Sequence, residues 1–167
     1  MRLRPTLPGS LDGNVIQGRH VAATLRQQVA AELLRLRDLG HTLRLAVVRV
    51  GDDPASAVYV ANKVRACAEA GIESSHLALP ATTSEAELLA HVAALNRDPT
   101  VDGVLVQLPL PHHIDTNLVI DAVDPAKDVD GFHPANLGLL LGRSALLQPC
   151  TPAGVMVLLA AIGADLR

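Results

Sequence analysis

Three side chains that could take part in a reaction lie at helical spacing within residues 54–70. Ser56, Tyr59 and Lys63 are separated by three and four positions, so they lie along one stripe of a helix. Lys63 is one of only two lysines in the chain, and burial can lower a lysine pKa enough for proton transfer, which arginine does not allow. A tyrosine one turn away can stack on a flat ligand. The alternative is a surface tyrosine that packs on a lysine stem.

Two later segments add polar side chains to this picture. Gln107 ends an apolar run in "VQLPLPHH" and can donate and accept hydrogen bonds in a cleft, or it can simply mark a strand end before a proline stop. Asp128 and Asp130 alternate in "KDVDGFHP", so they point the same way in an extended loop. Such a pair can bind a metal, or one carboxylate can hold a ligand's amino and ring N–H groups. The alternative is a solvated Asp-Gly turn.

A metal site and a reactive cysteine are two further hypotheses for the function of this chain. A metal site would draw on neighbouring loop residues, although their spacing fits no familiar zinc pattern: His112, His113, Asp115, Asp128, Asp130 and His133. Cys150 precedes a predicted helix N-terminus, which can lower its pKa, but no base partner is evident and a structural role is favoured. The sequence contains no G-x-G-x-x-G or Walker loop, and hence no nucleotide-binding fingerprint.

Periodicity predicts the elements that must position these groups. The predicted helices are residues 19–40, 54–70, 83–96, 116–122 and 150–163, and the predicted strands are 43–50, 75–79 and 101–108. Local signals support several boundaries. Asp53 is the expected N-cap of the second helix and Gly71 its end, Ser84 and Glu87 have capping-box spacing, and Thr151 with Pro152 is expected to begin the last helix.

Strands alternating with helices predict a three-layer α/β/α fold with a mostly parallel sheet. In such sheets ligands bind beyond the carboxyl ends of the strands. Those ends are the "GDDP" turn and the "VQLPLP" segment, so the start of the 54–70 helix and Gln107 are expected to share a cleft.

Composition limits the classes of function. With 167 residues and 49% hydrophobic content, the chain is long enough for one domain with a sizeable core. A net charge of -3 and 1% aromatic residues argue against a nucleic-acid partner. The N-terminus lacks a secretory signal, and the apolar segment 155–162 is far shorter than the roughly 20 residues that span a bilayer. With two cysteines, a cytoplasmic location with reduced thiols is expected.

Four segments, taken together and in order, resemble one known family. They are "VGDDPASAVYVANKVRACAEAGI", "DGVLVQLPLPHHI", "DPAKDVDGFHPANLG" and "PCTPAGVMVLL". They are similar to the N-terminal catalytic domain of bifunctional methylenetetrahydrofolate dehydrogenase/methenyltetrahydrofolate cyclohydrolase, the FolD family. The resemblance implies a catalytic domain over residues 1–150 and, over 151–167, a helix leading to a Rossmann NADP-binding domain that this chain lacks.

The resemblance also implies roles for individual residues. Lys63, Tyr59 and Gln107 match the catalytic positions, with the lysine at the one-carbon bridge and the glutamine assisting it. The positions that match substrate contacts are Asp130, which holds the pterin, and Ser56, Val106 and Leu108.

The family's activity sets the functional expectation. It oxidises 5,10-methylenetetrahydrofolate with NADP and hydrolyses the methenyl product to 10-formyltetrahydrofolate. Because the NADP domain is absent, dehydrogenase activity from these residues alone is not expected, and cyclohydrolase activity is left open. The family is homodimeric, largely through the missing domain, which leaves a monomer as the alternative for this chain. The remaining alternatives are a non-catalytic folate-binding fragment and a metal-dependent hydrolase.

Overall fold

The computed structural model describes residues 11–12 and 15–164. Its strands are β1 (Leu11–Asp12), β2 (Val15–Ile16), β3 (Arg44–Val50), β4 (Glu73–Leu79) and β5 (Gly103–Val106). Its helices are α1 (Gly18–Asp38), α2 (Pro54–Ala70), α3 (Glu85–Arg97), α4 (Thr116–Ala122), α5 (Pro134–Leu141) and α6 (Cys150–Ala161). None of the helices in these ranges is long and apolar enough to cross a membrane.

A three-stranded parallel sheet forms the centre of the domain. β3 lies in the middle and pairs with β4 on one side and β5 on the other, with Val48 opposite both Leu77 and Val106. The short β1 and β2 strands form a separate antiparallel pair. Because the three strands are parallel, their carboxyl ends meet at one edge of the sheet, as the sequence predicts.

The core divides into two clusters because successive side chains of a strand point to opposite faces. One face joins β3 and β5 to α3 and α4 through residues that include Ala46, Val48, Val50, Leu88, Val92, Val104 and Val119. The other face packs α2 on the sheet through Val47, Val60 and Leu105. Helices therefore cover both faces, and the predicted three-layer α/β/α arrangement is confirmed.

The local signals place the start and end of α2 correctly. The Asp53 side chain accepts a hydrogen bond from the Ser56 N–H at 2.6 Å, and Gly71 ends the helix in the left-handed conformation, with φ of 89°. The capping box of Ser84 and Glu87 is also present at the start of α3. The stripe of Ser56, Tyr59 and Lys63 thus begins at the carboxyl edge of the sheet.

The predicted cap of the last helix and both predicted ends of the third strand are wrong. α6 starts at Cys150 with Pro149 as its N-cap, because the Pro149 carbonyl already accepts the Ala153 N–H, and Thr151 makes no capping bond. Pro152 fits inside the first turn because the first N–H groups of a helix need no intrahelical acceptor. The strand predicted over 101–108 covers only 103–106, since Val101 closes a turn onto Asp98. The helix α5 was not predicted.

Candidate active site

The lysine and glutamine singled out in the sequence meet at the carboxyl edge of the sheet. The half-buried Lys63 Nζ donates a hydrogen bond to Gln107 Oε1 at 3.2 Å. The Gln107 Nε2 donates to the Leu108 carbonyl at 2.7 Å, and its backbone N–H donates to the Val48 carbonyl at 2.8 Å. Because its amide nitrogen is already held, Gln107 must present its oxygen to the lysine. Both Lys63 and Gln107 are thereby oriented before any ligand arrives.

Ser56 and Tyr59 lie on the same stripe in different surroundings. Tyr59 is 64% exposed, so its ring is open to stack on a flat ligand. Ser56 is 4% exposed and lies in the first turn of α2. Its burial fits a supporting position beside the site better than a direct ligand contact. The ligand-binding roles of both residues stay predictions.

Asp130 is a half-buried carboxylate near this pair. Burial raises its pKa above the ordinary value of 3.8, the Lys63 ammonium acts in the opposite direction, and the negative charge of Asp128 adds to the rise. Within the part of the chain that the structure describes, the carboxylate accepts no hydrogen bond, so its lone pairs remain available to donors of a ligand.

An apolar recess adjoins Asp130. It is lined by residues from β5, α4 and the loop that follows: Val104, Val106, Leu108, Val119, Ile120, Val123, Asp128, Asp130 and Phe132. Val106 and Leu108, both predicted to contact the substrate, therefore border the same space as Asp130. Phe132, the single phenylalanine of the chain, was not among the predicted site residues, although it stands two positions from Asp130.

Two glycines allow the loop that carries Asp130 to pack tightly. Gly131 has φ of 69°, and a Cβ built there would lie 3.0 Å from both the Gln148 carbonyl carbon and the Pro149 nitrogen. A Cβ on Gly103 of β5 would lie 2.5 Å from Val129 Cγ1. Real Cβ atoms do not approach neighbours as closely as the one built on Gly103, and few approach as closely as the one built on Gly131. A larger residue at either position would therefore require the neighbouring atoms to shift.

Cys150 borders the site from the first turn of α6. Its Sγ contacts the Val129 carbonyl at 3.8 Å. Desolvation raises the pKa of this thiol, and the charge of Asp130 adds to the rise, while Lys63 opposes it. The expectation that the helix N-terminus lowers this pKa is therefore wrong, because desolvation and the nearby carboxylates outweigh it. The thiol is poorly suited to act as a nucleophile.

Three of the residues considered for a metal site are engaged in local contacts. His113 Nε2 lies 2.8 Å from the Thr83 carbonyl, the Asp115 side chain accepts the Asn117 N–H at 2.8 Å, and His133 Nδ1 accepts the Ala135 N–H at 3.0 Å. In residues 11–12 and 15–164, no group of three or more His, Cys, Asp or Glu side chains is arranged to hold a metal ion. These contacts assign His113, Asp115 and His133 to helix caps and loop packing.

The second lysine has a structural place. Lys127 Nζ donates to the carbonyls of Leu95 at 3.1 Å and Asp98 at 2.7 Å, at the end of α3. Cations are favourable there because the last carbonyls of a helix are otherwise unsatisfied. The two lysines of the chain therefore have different roles: Lys127 stabilises the end of α3, and Lys63 lies beside Gln107 and Asp130.

The raised pKa of Asp130 predicts a pH-dependent cost in stability. The folded protein binds the proton of the Asp130 carboxyl group more tightly than the unfolded chain does. The stability that this difference contributes to the fold is therefore present at low pH and is lost as the pH rises through the folded-state pKa. We expect Asp130→Asn to raise Tm near neutral pH, with the gain shrinking on acidification and vanishing below the ordinary value of 3.8. Thermal unfolding at several pH values tests this, with Asp121→Asn at an exposed position of α4 as the control. A lower Tm at neutral pH would contradict it.

Fold and site together define an α/β catalytic domain whose cleft lies beyond the carboxyl ends of a parallel sheet. The family model "Tetrahydrofolate dehydrogenase/cyclohydrolase, catalytic domain" matches residues 16–130. The chain belongs to this family.

Curated and solved relatives support this membership. Bifunctional protein FolD 2 of Geobacter metallireducens is 53% identical over 152 residues, which cover 91% of this chain and 53% of that protein. Bifunctional protein FolD of Acidiphilium cryptum is 59% identical over 149 residues, covering 89% and 52%. The crystal structure of the Campylobacter jejuni FolD enzyme superimposes with a TM-score of 0.87 at 44% identity, covering 90% of this chain and 54% of that one. The chain thus spans about half the length of the relatives it matches.

Proposed function

We propose that this chain carries the folate side of a methylenetetrahydrofolate dehydrogenase/methenyltetrahydrofolate cyclohydrolase active site. The observation that carries the proposal is the hydrogen bond of 3.2 Å between Lys63 Nζ and Gln107 Oε1 at the carboxyl edge of the sheet. A half-buried amine held by an oriented amide is suited to moving a proton at a defined point. Family membership over residues 16–130 supports the same substrate class.

The surroundings of the lysine fit a tetrahydrofolate derivative. The Asp130 carboxylate would accept the amino and ring N–H donors of the pterin. Val106 and Leu108 would contact the apolar part of the ring, and the exposed face of Tyr59 would stack on it. Asp130 acts away from the reacting carbon, so its binding energy serves to position the one-carbon bridge near Lys63.

Hydrolysis of the methenyl group can be written with residues of this chain. The substrate is a delocalised cation, and a water molecule adds to its one-carbon bridge. Lys63 Nζ takes one proton from this water, which leaves a neutral hydroxyl adduct, and returns that proton to the pterin nitrogen. As the bond between this nitrogen and the carbon breaks, the hydroxyl proton passes to solvent and the formyl product forms. Gln107 keeps the amine aimed at the bridge through both transfers. Arginine would not serve here because its guanidinium stays protonated.

The dehydrogenase half of the proposed activity needs a nicotinamide cofactor, which would accept a hydride from the substrate. The sequence has no dinucleotide-binding fingerprint, so no residue of this chain is assigned to NADP. A Trypanosoma brucei relative, 32% identical with a TM-score of 0.86, was solved with NADP and an inhibitor. We place NADP in a second domain, to which residues 151–167 would lead from the catalytic domain of residues 1–150. Helix α6 is apolar, yet none of its residues is buried in the described chain. This supports a further protein surface that packs against α6.

Binding of a reduced folate tests the proposal directly. The 167-residue chain is titrated with 5-formyltetrahydrofolate and followed by NMR, beside its Asp130→Ala variant. We expect chemical-shift changes that cluster on Tyr59, Lys63 and Gln107. In the variant the affinity should be about tenfold or more weaker, because a charge-assisted hydrogen bond is lost. Asp121→Ala, at an exposed position of α4, should bind like the wild type. Shifts that spread over another surface, or that survive in Asp130→Ala, would contradict the proposed site.

A folate-binding fragment without turnover is the second candidate. The wide exposure of Tyr59 favours it, because a cleft that is open on one side admits water freely and holds the substrate loosely. Turnover of methenyltetrahydrofolate by the chain separates the two candidates.

We also propose a cytoplasmic location and a homodimer for the complete protein. The unpaired thiols of Cys67 and Cys150 support the cytoplasmic location.

A further inference from the structure

A second aspartate lies buried beneath the proposed pterin-binding carboxylate. Asp128 is 5% exposed, and its two oxygens accept three hydrogen bonds. The Gly131 N–H donates to Oδ1 at 3.0 Å, while the His133 N–H and the Asn136 side-chain amide each donate to Oδ2 at 2.9 Å. Asn136 is itself 7% exposed, and its amide nitrogen also donates to the Pro125 carbonyl at 3.0 Å.

We propose that Asp128 and Asn136 form a positioning pair that holds the Asp130 carboxylate in the geometry required for folate binding. This inference rests on the proposed function, since it assigns the pair a role at the same site. Neither residue needs to touch the substrate.

The backbone on both sides of Asp130 is restrained by this arrangement. On the N-terminal side, Val104 of β5 joins the loop to the sheet, with its N–H donating to the Lys127 carbonyl at 2.7 Å and a bridge to Asp128. On the C-terminal side, Asp128 Oδ1 holds the Gly131 N–H. Asp130 therefore stands between two backbone anchors, which fix the point and direction from which its side chain leaves the loop.

Asn136 extends the restraint to the following helix. It lies in the first turn of α5, so its bond to Asp128 ties that helix to the loop, and its bond to Pro125 closes the loop at its beginning. A neutral amide in place of Asp128 could not accept at both oxygens, because one would become an N–H₂ donor facing other donors. The loop thus needs a carboxylate at this position.

The charge of Asp128 also acts on Asp130. Three titratable groups face the Asp130 carboxylate: Lys63 from α2, Asp128 from its own loop and Cys150 from α6. Lys63 favours the ionised form of Asp130 and Asp128 opposes it. A buried carboxylate so close to a binding carboxylate is costly, and the three hydrogen bonds to Asp128 offset that cost while fixing the loop.

A double-mutant cycle tests whether Asp128 acts through Asp130. The dissociation constant of 5-formyltetrahydrofolate is measured by NMR for the wild type, Asp128→Asn, Asp130→Ala and the double variant. We expect Asp128→Asn to weaken binding about tenfold in the wild-type background and less than about twofold in the Asp130→Ala background. A residue with a purely structural role would not show this loss of effect.

Asp124→Asn is the matched control. Asp124 also caps a turn, accepting the Ala126 N–H at 2.9 Å, but does not hold the backbone beside Asp130. It should leave the dissociation constant unchanged. If Asp128→Asn does not fold by its NMR spectrum, Asn136→Ala replaces it in the cycle, since it removes only one of the three donors to Asp128. A smaller loss, about threefold, is expected there, again absent in the Asp130→Ala background.

The outcomes separate the two levels of inference. An unchanged affinity in Asp128→Asn, or an equal loss in both backgrounds, overturns the positioning role while leaving the proposed function in place. If Asp130→Ala itself binds as tightly as the wild type, the proposed site is wrong, and the positioning role falls with it.

Discussion

Replacing Lys63 with alanine is expected to lower the rate of methenyltetrahydrofolate hydrolysis by about 10²–10⁴-fold, the usual contribution of a positioned acid–base group. The loss should fall on kcat more than on KM, because the proposed pterin contacts of Asp130 and the apolar recess do not involve Lys63. Lys63→Arg should be similarly impaired, since arginine keeps the positive charge and a donor for Gln107 but does not release its proton.

The rate is measured on the chain itself and on the chain joined to the remaining half of the Geobacter metallireducens relative, which would supply the proposed second domain. Arg65→Met is the control on the same helix, because Arg65 is exposed and its contact to Glu69 spans 3.9 Å. If the rate of Lys63→Ala is within about twofold of the wild-type rate, Lys63 does not take part in proton transfer.

Gly131→Ala should damage both the stability and the ligand affinity of the domain. A side chain at φ of 69° costs about 1–2 kcal/mol, and the added Cβ would meet the backbone of Gln148 and Pro149 at 3.0 Å. The backbone on one side of that contact must shift by a few tenths of an ångström, and we expect the shift to reach the adjacent Asp130. Chemical denaturation measures the first effect, and titration with 5-formyltetrahydrofolate the second.

Gly71→Ala separates backbone strain from displacement of the loop. Gly71 has φ of 89°, yet a Cβ there would meet nothing within 4 Å. It should lower the free energy of unfolding by about 1–2 kcal/mol and leave folate affinity unchanged. Equal effects of the two substitutions on affinity would show that the close packing of Gly131 does not position Asp130.

The sequence alone was sufficient for the features that depend on near neighbours in the chain. The Asp53 cap, the Gly71 stop and the capping box of Ser84 and Glu87 each join residues within a few positions of one another. The alternation of apolar strands with helices also predicted the parallel sheet. From that topology followed the meeting of the α2 stripe with Gln107, because parallel strands end at one edge.

The sequence was less informative where local signals compete. Thr151 and Pro152 form a good helix start, but the helix begins at Cys150, with Pro149 as its N-cap packed close to Gly131. For Cys150, the neighbouring helix N-terminus favours the thiolate, yet desolvation and the charge of Asp130 prevail. Both outcomes depend on segments that lie about 20 residues apart in the chain.

The difference between Asp128 and Asp130 shows most clearly what required the tertiary structure. In "DVDG" the two aspartates are equivalent by pattern, and either could hold a ligand or a metal. In the folded chain Asp128 is buried and accepts three hydrogen bonds, whereas Asp130 is left facing Lys63. Residue types and spacing determined which groups could do chemistry. Burial and hydrogen-bond partners decided which of them remain free to do it, because both depend on segments that only folding brings together.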